Sequence, residues 1–256
     1  MQRSTRLKAI IRAVESGPRR IAELVALTGA SAVTIRRDLM ELEERGALRR
    51  THGGAQPAPS RGADFPFALR RSEDAEAKRA IADAAAALVG PGHAVFFDNG
   101  TTVLAIAHRL EHANVTALAV SLHAAAALAS HVQNEVIVPG GTVNADDLSF
   151  SGSEAVDAVR AMRFDVAFLG ACSADPSHGL SVATRADAVV KRAVIAASAR
   201  VVLVVTAEKL TRTSAHRFGS FADVDVLVTT ADAPAAVLHE ARSQGISVVT
   251  VSTPPR

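Results

Sequence analysis

Tryptophan and tyrosine are absent, and nine phenylalanines are the only other large aromatic side chains in 256 residues. Proteins that hold unpaired bases need aromatic faces to stack them, so the composition argues against a single-strand binder. Cysteine occurs once, at Cys172, which excludes an internal disulfide and fits a reducing, cytoplasmic setting. With no catalytic context around it, Cys172 reads as a small buried hydrophobe. Long apolar runs are missing too. Asp, Arg or His interrupts the alanine-rich stretches well short of the roughly 20 residues of a membrane span. The first residues are polar and basic, and no signal peptide is expected. There is no G-x-G-x-x-G after the first strand of the expected sheet and no G-x-x-x-x-G-K, so a dinucleotide or P-loop site is not expected. The nine histidines (52, 93, 108, 112, 123, 131, 178, 216, 239) show no ligand spacing, and no metal or cofactor is expected.

What is present is concentrated first in Ser31–Ala55, SAVTIRRDLMELEERGALRRTHGGA. Ser31 is a good N-cap, and Ile35, Leu39 and Leu42 then fall at i, i+4, i+7 on one helical stripe. At about 100° per residue, Val33, Thr34, Arg36 and Arg37 lie beside or opposite that stripe. Gly46 is expected to end the helix, and Ala47–Gly54 carries Arg49, Arg50 and His52 towards a glycine pair. Upstream, Leu7, Ile10, Ile11 and Val14 form one helical stripe, Ile21, Leu24 and Val25 another, and Thr28-Gly29-Ala30 a tight turn. An RRD triplet alone is usually a solvated face. Helix, helix, turn, helix and basic hairpin in this order form a winged helix-turn-helix, whose third helix enters a DNA major groove while the wing touches phosphate. The DNA-contacting set is therefore Ser31, Val33, Thr34, Arg36, Arg37, Arg49, Arg50 and His52. Residues 1–52 hold eleven Lys/Arg and six acids, a net of +5, whereas the whole chain is +2 and residues 53–256 are −3. A basic head on a mildly acidic body suits phosphate binding by the head alone.

TIRRDL, then LEERG, then HGGA resembles the signature of the DeoR family of bacterial transcription regulators, with Ala30 where that family commonly has Val. The resemblance continues along the chain and weakens in the last thirty or so residues. It implies a sequence-specific DNA-binding regulator, most simply a repressor of carbohydrate-metabolism genes, acting on duplex operator DNA as a homo-oligomer.

Gln56–Gly62, QPAPSRG, reads as a linker, with Phe65 and Phe67 anchoring its far end. The expected division is a winged helix-turn-helix at 1–55, a linker at 56–74 and an α/β domain at 75–256. In the last, helices at Ala75–Val89, Thr101–Leu110 and Leu122–Ser130 alternate with strands at Ala94–Phe97, Thr116–Val120 and Glu135–Val138. Further strands are expected at Val166–Leu169, Val201–Val205, Val226–Val228 and Val248–Val251. Alternation of this kind predicts a mostly parallel, covered sheet.

Ligands of such sheets bind beyond the carboxyl ends of the strands. The first strand runs into Asp98-Asn99-Gly100-Thr101-Thr102 and a helix, where outward N–H groups and the helix dipole favour an anion. A capped helix after a glycine turn is an equal reading of this loop alone. Small or hydroxylic residues recur at the next strand ends, Ser121, Gly140-Gly141 and Gly170-Ala171, as backbone wrapped around one polar ligand would require. In DeoR-type regulators this domain resembles ribose-5-phosphate isomerase and senses phosphorylated sugars or related metabolites. The resemblance implies an effector site of Asp98, Asn99, Gly100, Thr101, Thr102, Ser121, Gly140, Gly141, Lys191 and Lys209. This chain departs from the family with Ala119 and Val120 before Ser121, Asp187 for Glu and Thr206 for Asp. Asp187 and Lys191 at i, i+4 also read as an ordinary surface pair, and Lys209 as an exposed loop lysine. Asp98 would repel a phosphate, so it is assigned to sugar hydroxyls or to fixing the loop. The alternative is an isomerase-like enzyme with Asp98 as base. Against it, Gly170-Ala171-Cys172-Ser173-Ala174-Asp175 is neutral where isomerases of this fold carry acids, and the DNA-binding head would go unexplained.

Overall fold

The computed structural model describes residues 3–44, 47–57 and 67–253. Contacts divide the chain into two compact units, 1–70 and 71–256. The first contains α1 (Arg3–Glu15), β1 (Arg19–Arg20), α2 (Ile21–Thr28), α3 (Ala32–Glu44), β2 (Leu48–Thr51) and β3 (Gly54–Pro57). Leu7, Ile10, Ile11 and Val14 of α1 close over Leu24 of α2 and Ile35, Leu39 and Leu42 of α3, with Leu48 and Ala55 completing the core. Burial of these stripes, rather than helix propensity, holds three short helices together. Gly29, at φ 70°, ends α2 in the left-handed conformation that a glycine adopts without a Cβ penalty. Residues 45 and 46, including the expected helix-ending Gly46, lie outside the described residues.

The RRD triplet does not share one face. Arg36 and Arg37 are exposed, whereas Asp38 is buried and takes two hydrogen bonds from Arg6 of α1, at 2.6 and 3.3 Å. Arg3 and Glu41 form a second ion pair between the same helices. The wing is a β2–β3 antiparallel hairpin, with β1 pairing the far side of β3.

Residues 58–66, which include most of the expected linker and Phe65, lie outside the described residues. Gln56 and Pro57 belong to β3, and Phe67–Ser72 forms α4, with the buried Phe67 ring under the Arg70 guanidinium.

The second unit runs α5 (Ala75–Ala86), β4 (Ala94–Phe97), α6 (Thr101–Arg109), β5 (Thr116–Ala119), α7 (Leu122–Leu128), β6 (Glu135–Ile137), α8 (Ser153–Arg160) and β7 (Val166–Leu169). It continues β8 (Ser173–Asp175), β9 (Gly179–Val182), α9 (Arg185–Ala197), β10 (Val201–Val204), β11 (His216–Gly219), β12 (Val226–Thr230), α10 (Ala235–Ser243) and β13 (Ser247–Val251). Seven strands form one parallel sheet in the order β13-β12-β10-β7-β4-β5-β6. The four residues VAFL of β7 and VVLV of β10 are buried throughout, as strands covered on both faces must be. From β4 the chain steps outward to β5 and β6, returns to β7 on the other side, and steps away again through β10, β12 and β13. The order therefore reverses between β4 and β7, and a crevice opens beyond the carboxyl ends of strands at such a reversal. A small antiparallel sheet, β11-β9-β8, and the helices α8 and α10 were not expected from the sequence.

Gly54 is held by close approach rather than by backbone angle. A Cβ there would lie 1.9 Å from the carbonyl oxygen of Arg19, the partner strand's backbone. Gly54→Ala is expected to destabilise the first unit by about 1–3 kcal/mol through this overlap. Hydrogen exchange should accelerate over 19–20 and 48–57 while the second unit's amides keep their protection. Unchanged exchange in the hairpin would show that the wing relaxes without cost.

Candidate functional site

In the head, Ser31 caps α3. Its Oγ accepts the Thr34 N–H at 3.2 Å and lies 2.9 Å from the Thr34 hydroxyl, so both expected DNA-contacting hydroxyls are also engaged with each other. With Ile35, Leu39 and Leu42 turned into the core, the opposite side presents Arg36, Arg37 and Val33, the last 73% exposed. Among the described residues, Arg36, Arg37 and Arg49 enter no ion pair. Arg50, on β2, is 3.7 Å from Glu43 of α3, and its N–H donates to the same carboxylate. That contact fastens the wing to the helix. His52 sits exposed in the hairpin turn.

In the second unit, Asp98 leaves β4 at the reversal point and is almost completely buried. Its Oδ2 accepts the Gly170 N–H at 2.8 Å and an ion-paired hydrogen bond from the Lys191 ammonium. Lys191 is equally buried, 3.5 Å from Asp187 and 5.6 Å from the Phe218 ring centroid. This corrects the surface-pair reading of Asp187 and Lys191. Position i+4 on α9 faces the sheet here, and the lysine reaches inward to β4. Burial alone would push the Lys191 pKa down, but Asp187, Asp98 and the hydrogen bond outweigh it and the pKa is raised. Cys172 is partly buried and packs against the hydrophobic core of this unit.

The other oxygen of Asp98, Oδ1, is buried with no hydrogen-bond partner. Beside it, the half-buried Asn99 and Gly100 lead into α6, whose N-terminus has no side-chain cap. Thr101 and Thr102 are buried in its first turn. Lys209, from the turn after β10, donates to the Ala171 carbonyl at 2.9 Å and so stands next to Gly170. Asp98 through Thr102, Lys191 and Lys209 thus gather at the ends of β4, β7 and β10.

The remaining expected residues are placed differently. Ser121 is buried and caps α7, its Oγ 3.5 Å from the Ala124 N–H. It also bridges to Ser149, because residues 143–150 fold over the end of β5, with Leu148 at φ 53° and Asp147 accepting two bonds from Ser149. Nothing in the expected strand pattern announces that cover. Gly140 and Gly141 follow the edge strand β6. Gly140 has open space above it, whereas a Cβ on Gly141 would meet the Glu154 side chain at 3.3 Å.

Residues 73–231 match the family described as the DeoR C-terminal sensor domain, and residues 6–61 match the DeoR-like helix-turn-helix domain. The chain belongs to the DeoR family. The HTH-type transcriptional regulator GlpR of Haloferax volcanii is 35% identical over 236 residues, 92% of each chain. The glycerol-3-phosphate regulon repressor of Escherichia coli K12 is 33% identical over 241 residues, 93% of this chain and 95% of that one. Transcriptional repressor AccR of Agrobacterium fabrum is 35% identical over 201 residues, 78% of each. Among solved structures, ribose 5-phosphate isomerase A of Methanocaldococcus jannaschii aligns over 54% of this chain and 56% of its own, at 17% identity and a TM-score of 0.39.

This DeoR-family protein is a DNA-binding transcriptional regulator rather than an enzyme. Asp175 accepts from Ser177 and His178 and closes the β8–β9 turn. No helix is long and apolar enough to cross a membrane among the described residues.

Removing one partner of a buried ion pair strands the other charge. Lys191→Met is therefore expected to lower stability by about 3–5 kcal/mol in urea unfolding, and Asp98→Asn/Lys191→Met to recover part of it. Because the folded pKa of Lys191 is raised, its stabilisation is complete below the ordinary lysine value of about 10.4 and is lost as pH rises through the folded value. The wild type should lose stability above about pH 10 more steeply than Lys191→Met. Parallel curves for the two proteins would mean that the pair contributes nothing.

Proposed function

We propose that this DeoR-family protein is a repressor whose α3 reads operator DNA in the major groove, with Arg36 and Arg37 as principal contacts and Arg49, Arg50 and His52 of the wing on phosphate. Ser31, Val33 and Thr34 complete the contact set. The observation that carries the reading is a helix whose apolar stripe is buried while two adjacent arginines stand exposed and without ion pairs on the described residues. The repressor names of two relatives support the direction of regulation. One winged head covers a short footprint, so the protein acts as a homo-oligomer on paired half-sites. Operators enriched from a random duplex library supply the probe. Arg36→Ala and Arg37→Ala should each cost about 1–3 kcal/mol where a base edge is read, and lower the salt slope by about one where only phosphate is touched. Full specific binding by the folded double variant, or monomers alone in sedimentation with and without operator, would overturn the respective parts.

The effector in this reading is a phosphorylated sugar or related small metabolite held at the crevice between β4 and β7. The uncapped N-terminus of α6 suits its anion, Asp98 Oδ1 accepts one of its hydroxyls, and Lys191 offsets the charge of Asp98. Asn99, Gly100, Thr101, Thr102 and Lys209 line the same crevice, with Ser121, Gly140 and Gly141 further along the sheet edge. A relative named for the glycerol-3-phosphate regulon makes that compound the first to try. To relieve repression the effector must favour the DNA-free arrangement, by a coupling of typically about 1–3 kcal/mol. A thermal-shift panel of phosphorylated metabolites and their unphosphorylated parents tests the site. Stabilisation confined to a phosphorylated compound, and abolished by Gly100→Val, is expected. Equal responses in wild type and variant would move the site elsewhere.

A further inference from the structure

The histidines carry no metal spacing along the chain, yet folding brings two of them together with an acid. Glu111 and His112 lie in the turn after α6, and His131 follows α7 nineteen residues later. Their ligand atoms all lie within 4.8 Å of one another. The two imidazole rings approach to 3.6 Å between centroids, tilted by 44°, and His112 Nε2 is 4.0 Å from Glu111 Oε1. We propose that Glu111, His112 and His131 form a surface site for a divalent transition ion of the Zn2+, Ni2+ or Cu2+ class.

Three independent features support this. The donor set is two imidazoles and one carboxylate, which suits borderline transition ions and not Mg2+ or Ca2+, whose sites are built from oxygen. The two turns are also held in register by one residue. The Asn134 amide donates to the carbonyls of Leu110, Glu111 and Leu128 at 2.9, 3.0 and 3.1 Å, and its Oδ1 accepts the Val115 N–H at 3.2 Å. A prepositioned scaffold of this kind orients ligands before the metal arrives. Finally, the nine-residue α6 ends here, so its carbonyl pole favours a cation. The neighbouring cation Arg109 is engaged with Asp83.

The site stands at the opposite end of α6 from Thr101, roughly 13 Å of helix away from the effector crevice. Three protein ligands leave positions for water, so the ion acts as a clasp between the α6–β5 and α7–β6 turns. Binding to the folded state alone raises the unfolding midpoint with ion concentration.

The test uses the full chain without an affinity tag, stripped with chelator and titrated with Zn2+ by calorimetry, with thermal unfolding in parallel. One Zn2+ per chain, a raised midpoint, and at least a tenfold weaker affinity in His112→Ala/His131→Ala are expected. His239→Ala, on the exposed side of α10, should bind as the wild type does. Circular dichroism checks that the double variant keeps its fold, and a Co2+ visible spectrum seen in the wild type and lost in Glu111→Gln gives a second readout. The proposal is overturned by no saturable Zn2+ binding in the wild type, by equal affinity in the double variant, or by Mg2+ raising the midpoint as much as Zn2+.

Discussion

The contact between the Lys191 ammonium and the Asp98 carboxylate governs the second unit. It joins residues 93 apart in sequence and ties α9 to the end of β4, while the same carboxylate holds Gly170 at the end of β7. Desolvating both charges is expensive, and the pair persists because an amide, a second carboxylate and an aromatic face share the work of solvating them. The geometry also fixes the ends of β4 and β7 against each other. A Cβ on Gly170 would sit 3.3 Å from Asp98 Oδ2, so the strand end is close-fitted to the acid. What the pair leaves over is one buried oxygen aimed at nothing, and native structures seldom leave such an atom without a use.

The head solves a related problem at its surface. α3 must be rigid enough to present two arginines without spending them on neighbouring acids. Asp38, directly after them, is removed from competition by turning inward to Arg6, and Glu43 is occupied by the wing. The positive field outside α3 therefore survives four acids within residues 32–44 because two of them, Asp38 and Glu41, are tied to α1.

The parts of this architecture that were legible in the sequence were those set by local periodicity. Ala94–Phe97 and Val166–Leu169 have the expected bounds, and the other parallel strands differ by a residue or two, because short β-branched and aromatic runs between turns allow little else. α8 was overlooked although Ala155, Val156 and Val159 are its buried stripe, a signal diluted by its length of eight residues. β8, β9 and β11 carry serine, aspartate, histidine and glycine, and their pairing depends on contacts from distant parts of the chain. The strand–turn–helix of Asp98-Asn99-Gly100-Thr101-Thr102 was legible because it is local. The burial of Lys191 and the cover that residues 143–150 place over Ser121 were not, since both arise from long-range packing.

The reversal of strand order also has a temporal side. β4 emerges early in synthesis, yet its neighbour β7 follows about 70 residues later, and β10, β12 and β13 later still. At about 5–20 residues per second, β4 waits several seconds on the ribosome with one edge open. Its other edge can be covered sooner by β5, which follows at once and is paired in turn by β6. Parallel pairing across such distances is slow, and an open strand edge is where chains join wrongly. The open edge of β4 is paired only once β7 has been made, so the central seam of the sheet is the last part of β4 to be closed.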